Sequence, residues 1–131
     1  MIPESQEFED KISELIGREY DANNFHCWSL VEELVPKAPK LAVIGGSYKK
    51  AIEGFAKETP NYLELYEEVL KDPQNGDVLL AGNEKHLVHA GVLVYDSGTP
   101  LVIHNDIKGV HVEPLYYFKK KYSVIKVIRC Q

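Results

Sequence analysis

The apolar spacing of this chain changes period once, near its middle, and that change restricts what it can fold into. In the first half, Phe8, Ile12, Leu15 and Ile16 recur at helical intervals along one stripe, and Gly17 follows as a stop. A polar turn, Asp21-Ala22-Asn23-Asn24, then leads into Phe25–Val35. There Leu30, Val31, Leu34 and Val35 again fit one helix face, ended by Pro36 and Pro39. Gly45-Gly46-Ser47 reads as a turn and cap before a helix carrying Tyr48, Ile52 and Phe55. A further helix is expected over Asn61–Lys71, with Leu63, Tyr66 and Leu70 inward and Pro73 as its stop.

The second half is built of short β-branched runs: Asp77–Ala81, Leu87–Tyr95, Pro100–Asn105, Val110–Glu113 and Tyr122–Arg129. Asp96-Ser97-Gly98-Thr99 suits a hairpin loop. Helices first and an antiparallel meander of about five strands afterwards give an α+β fold rather than alternating βαβ units. No repeat or linker divides residues 1–131, so a single domain is expected. With 44% apolar residues it can build a core without disulfides or a structural metal. Fifteen Lys and Arg against twenty Asp and Glu leave a net charge of −5, which disfavours nucleic acid as a partner. Lys119-Lys120-Lys121 is read as a solvated basic face.

The N-terminal stretch Met1–Glu7 is acidic and lacks an apolar run, so no signal peptide is expected, and no segment reads as a membrane span. The expectation is a cytoplasmic chain as synthesised, or one delivered by a route other than an N-terminal signal. A reducing compartment argues against pairing Cys27 with Cys130, and Cys130, next to last, is expected to fray.

Cys27 lies where a polar turn becomes an amphipathic helix. Unpaired N–H groups and the positive dipole end should depress its pKa, as a nucleophilic thiol requires; the plain alternative is a small buried hydrophobe. A nucleophile needs a base, and a base needs an orienting partner. On Leu87–Tyr95, His89, Gly91, Leu93 and Tyr95 share one face; Val88, Ala90, Val92 and Val94 share the other, which packs on the core. Gly91 leaves space beside His89. If the hairpin turns at Asp96-Ser97, His104 stands directly opposite His89. Asn105 and Asp106 are fallback orienters. His86 and His89, at i and i+3 on a strand, face opposite sides and make a poor chelate, so no metal is expected. His86 reads as an exposed loop residue and His111 as the solvent face of a strand, while His26 either tunes the neighbouring thiol or caps the turn.

Phe25-His26-Cys27-Trp28-Ser29-Leu30-Val31 resembles the block around the nucleophile of the NlpC-type cell-wall cysteine peptidases. Ile16-Gly17-Arg18-Glu19-Tyr20 is similar to that family's lead-in. Asn75-Gly76-Asp77-Val78-Leu79-Leu80 is similar to its P-G-D strand, and His89-Ala90-Gly91-Val92-Leu93-Val94 to its histidine block. Val102-Ile103-His104-Asn105 resembles the strand that supplies the third polar residue. Gly109–Leu115 and Val124–Arg129 resemble the end of the phage-tail branch. His26 and Ser29 stand where the family has Asp and Gly, and the usual glycine-rich stretch is cut to Asp21–Asn24.

The resemblance implies a papain-like fold with the nucleophile at a helix N-terminus packed on the sheet. It also implies a Cys27–His89–His104 triad, with Tyr20 and His26 at the oxyanion and substrate side, and no cofactor. The implied activity is hydrolysis of peptidoglycan stems, typically at the D-glutamyl–diaminopimelate bond, with phage tail proteins as candidate partners. Two other readings on the same scaffold are a non-catalytic tail-assembly or wall-binding module, and an amidase or acyltransferase acting on another acyl donor.

Overall fold

The computed structural model describes residues 6–40, 46–60 and 67–130. Among the described residues three helices come first: α1 (Gln6–Leu15), α2 (Cys27–Leu34) and α3 (Tyr48–Glu58). Strands β1 (Glu67–Glu68), β2 (Val78–Gly82), β3 (Leu87–Asp96), β4 (Thr99–Asp106) and β5 (Gly109–Pro114) follow, then a short helix α4 (Leu115–Lys120) and strand β6 (Val124–Arg129). The expected α+β order is therefore present. The sheet has six strands, in the order β1-β6-β2-β3-β4-β5, and every pairing is antiparallel. Only β2 to β5 form a meander; β6 returns to the far side of β2.

Local chemistry explains most boundaries. α1 buries Phe8, Ile12 and Leu15, but Ile16, expected on the same stripe, is 50% exposed. The helix ends at Leu15 and Gly17 takes a φ of +89°. The chain then docks on β5, with Gly17 N–H donating to Val110 O (2.9 Å) and Val110 N–H to Arg18 O (2.9 Å). Ser47 caps α3, its Oγ accepting from Lys50 N–H at 3.2 Å. Phe55 is fully buried, while Tyr48 and Ile52 are half-buried.

The helix expected over Asn61–Lys71 is contradicted from Glu67 onward. Glu67 and Glu68 pair with Arg129 and Ile128 as a strand, Val69 N–H donates to Val127 O, and Leu70 is 87% exposed. Pairing along β6 overrides helical spacing there; Leu63 and Tyr66 lie outside the described residues. The hairpin turn is also one residue later than expected. Ser97 (φ 49°) and Gly98 (φ 85°) form a two-residue loop with both φ positive, the handedness that matches strand twist. Asp96 therefore pairs with Thr99, and His104 stands opposite Gly91 rather than His89.

Both sheet faces carry a core. On the helical side, Leu30, Val31 and Phe55 pack on Leu80, Ala90, Val92 and Ile103, as expected for the Ala90 face. On the other side, Leu79, Ala81, Leu93 and Val102 lie under Phe118 of α4, a helix not anticipated. Cys130 does not fray: it is half-buried against the helical-side core. Lys121, expected to be merely solvated, binds both Glu113 oxygens at 2.7 and 2.8 Å. Buried Asp77 accepts from Arg129 Nε and Nη2 at 2.9 and 2.8 Å, tying the start of β2 to the end of β6. Among the described residues, no helix is long and apolar enough to cross a membrane.

Candidate active site

The short turn before α2 delivers Cys27 to a fixed place. Asp21 Oδ1 accepts from the N–H groups of Asn23 (2.9 Å) and Asn24 (3.3 Å), and paired backbone bonds between Asp21 and Phe25 close the loop. Phe25 is buried, with the Arg18 guanidinium 3.7 Å over its ring. His26 takes the N-cap position and donates its backbone N–H to Ser29 Oγ at 3.1 Å, which gives the serine next to the cysteine a local role. Cys27 is the first residue of α2. From β4, the Asn105 amide donates to both Phe25 O (2.9 Å) and His26 O (3.1 Å). Asn105 is thus no orienter of histidine; it anchors the peptide preceding the thiol.

On the opposite sheet face, His89 Nε2 and His104 Nδ1 stand 2.8 Å apart, both residues buried. They meet on a diagonal of the ladder rather than straight across it. Gly91 makes that approach possible: a Cβ there would lie 2.6 Å from Val102 Cγ1 and 3.2 Å from His104 Cβ. The space expected beside His89 is therefore filled by the neighbouring strand. The bond occupies Nε2 of His89 and leaves Nδ1 as the ring nitrogen not engaged by His104.

Cys27, His89, Tyr20 and His26 line one pocket together with Asn105 and the α3 residues Tyr48, Ala51 and Ile52. Four of the five residues singled out from the sequence thus share a cavity, and the fifth, His104, reaches it through His89. Tyr48 was not anticipated in this role; its only sequence signal was an aromatic after the Ser47 cap. Its ring meets Tyr20 edge-on at 5.1 Å, and burial raises the pKa of both phenols.

The electrostatics differ from the expectation of a depressed thiol. Burial pushes Cys27 up to about 12, although N–H groups of Ala90, Trp28 and Cys27 itself pull the other way. Burial also pushes His89 and His104 down to about 3, with the His104 charge adding to the effect on His89 and the His111 charge to that on His104. Burial lowers His26 as well, and its Nδ1 has no hydrogen-bond partner. All these shifts run in the direction that favours a neutral thiol and neutral imidazoles.

His86 is exposed, as expected. His111 is not simply on a solvent face: it pairs across the strands with His104, their ring centroids 4.3 Å apart. No metal site was expected, yet donor atoms of His104, Asp106 and His111 all lie within 4.8 Å of one another.

Among solved structures, the chain resembles an N-acetylmuramoyl-L-alanine amidase from Bacteroides uniformis, at 18% identity and a TM-score of 0.40. That alignment covers 95% of this chain and 61% of the amidase, so the chain spans less than two thirds of its length. No curated protein gives a significant match. The model of the NlpC/P60 family matches residues 16–127, most of the length and every element from α2 to β5, and the chain belongs to the NlpC/P60 family.

Proposed function

We propose that this chain is a cysteine hydrolase of bacterial cell-wall peptides, cutting peptidoglycan stems at a D-glutamyl–diaminopimelate type of bond. The observation that carries this reading is the 2.8 Å contact of His89 and His104 beside a pocket that Cys27 lines from the first turn of α2. Family membership supports the same class of reaction.

In this scheme the Cys27 sulfur attacks the scissile carbonyl carbon while His89 Nδ1 takes the thiol proton. His104 holds the His89 ring and its tautomer through Nε2. The Cys27 backbone N–H, with the Tyr20 hydroxyl, stabilises the oxyanion, and His26 borders the substrate. Collapse breaks the C–N bond, His89 returns the proton to the leaving amine, and water then hydrolyses the thioester. Because the resting thiol is neutral, proton transfer accompanies attack rather than preceding it. A phage-tail setting, with tail proteins as partners, is the delivery route that the resemblance of β5 and β6 supports.

One observation favours a second reading, a non-catalytic wall-binding or assembly module: Cys27, His89 and His104 are all buried, which disfavours the charged form of each. Digesting defined muropeptides with the wild type and Cys27→Ala, and weighing the products by mass spectrometry, separates the two. Stem cleavage by the wild type alone supports the hydrolase. Binding without cleavage by either protein supports the module. Product masses also distinguish peptide cleavage from transfer to another acceptor.

A further inference from the structure

His104 of the proposed catalytic pair also belongs to a cluster with two residues that the hydrolytic scheme does not use. His104 and Asp106 are two residues apart on β4, so their side chains share a face, and His111 is the direct cross-strand partner of His104 on β5. Each ring has one nitrogen already committed. His111 Nδ1 lies 2.9 Å from Gly109 O; a carbonyl only accepts, so Nδ1 carries the proton and Nε2 presents a lone pair. That lone pair lies 3.7 Å from Asp106 Oδ2, while Asp106 Oδ1 is taken by Lys108 N–H. His104 Nδ1 is taken by His89, and its Nε2 is buried with no hydrogen-bond partner, in a side chain only 1% exposed. The nearest carboxylate to that nitrogen, Glu113 Oε1 at 3.3 Å, is held by Lys121.

We propose that His104, Asp106 and His111 form a site for a divalent transition ion of zinc's class, and that an ion held there opposes the thiol chemistry by fixing the His104 ring proton on Nδ1. Two imidazoles and a carboxylate are the donor set such ions select, with a fourth position left to water. Bonds of about 2.0–2.1 Å would bring the donors to about 3.3 Å apart, so the cluster contracts modestly around the ion. Asp106 and His111, partly exposed, supply the movement and the entry path. The Gly109 carbonyl orients His111 in the manner usual for a metal-bound imidazole.

The consequence for the pair follows from proton positions alone and rests on the reading of Cys27 and His89 given above. With the ion on His104 Nε2, the proton of that neutral ring sits on Nδ1 and is donated to His89 Nε2. The neutral His89 ring then carries its own proton on Nδ1, the nitrogen that would otherwise accept from the thiol. No net proton is gained or lost; the base is present in the wrong tautomer.

The test titrates the metal-free full chain with Co²⁺ and Zn²⁺. Expected are visible cobalt absorption, micromolar binding, and X-ray absorption of the zinc form showing imidazole and oxygen donors without sulfur. Binding should persist in Cys27→Ser and weaken about 10-fold or more in His111→Ala and Asp106→Asn. Nitrogen NMR of the wild-type histidine rings should show His89 protonated at Nδ1 once zinc is bound. No binding by the wild type, a sulfur donor, or loss of binding in Cys27→Ser overturns the site, whether or not the chain hydrolyses cell wall. An unprotonated His89 Nδ1 in the zinc form, or undiminished muropeptide cleavage with zinc bound, overturns the inhibitory effect.

Discussion

His89 Nε2 touches His104 Nδ1 at 2.8 Å although the residue facing His104 across the ladder is Gly91. The contact is diagonal and exists because a glycine lets β4 bring His104 in beside the strand backbone. Replacing His104 with Ala should lower kcat on muropeptides about a hundred- to ten-thousand-fold with little change in KM, since it frees the His89 ring without altering the pocket wall. Unchanged turnover would remove His104 from the mechanism.

Gly91→Ala tests the same geometry from the backbone. The added methyl meets Val102 Cγ1 at 2.6 Å and His104 Cβ at 3.2 Å. Separating β3 from β4 there should cost about 1–3 kcal/mol of stability, read by urea unfolding, and lower kcat in the protein that still folds. Wild-type stability and turnover would show that the space is not needed.

Acid should unfold this protein early. His89 and His104 titrate near 3 in the folded chain against an ordinary 6.5, so between those values the unfolded chain binds more protons. Stability is then complete above about pH 6.5 and declines as pH falls toward 3. Urea midpoints measured with chelator present should drop between neutral pH and pH 5, and His89→Phe or His104→Phe should flatten the slope. A midpoint independent of pH over that range would contradict neutral burial.

The buried thiol gives a chemical readout. In a Cys130→Ser background, iodoacetamide should modify Cys27 more slowly than a free cysteine near neutral pH, and faster as pH rises past about 9. The cause is burial, which holds the thiol near 12. Rapid alkylation at neutral pH would mean a preformed thiolate.

Asp77→Ala should destabilise the chain by about 3 kcal/mol, because the Arg129 guanidinium loses its bidentate partner between β2 and β6. Thermal unfolding measures it. Neither residue lines the pocket, so kcat per folded molecule should hold.

What the sequence revealed, and what it concealed, have separate physical causes. Cys27 at a helix start, the Ser47 cap, the Gly17 stop and the strand runs were legible because caps, glycine conformations and period-two alternation are local signals. The register error at Asp96-Ser97 came from a turn that Asp, Ser and Gly suit in more than one frame; it displaced the pairing by two residues and so kept His89 and His104 on one face. Glu67–Glu68 and α4 were hidden because β6 pairing and the Phe118 contact are long-range. The thiol pKa was misjudged because a helix terminus is visible in sequence and depth of burial is not.

His104 and Asn105 are adjacent, yet one side chain meets the imidazole and the other grips the two carbonyls before the thiol. A single peptide unit of β4 is therefore the spacer between the two halves of the site, and its length is covalent. An insertion in the hairpin tip at Ser97-Gly98 leaves that spacer intact. A one-residue slip of β4, by contrast, would exchange the two side chains and undo both halves together.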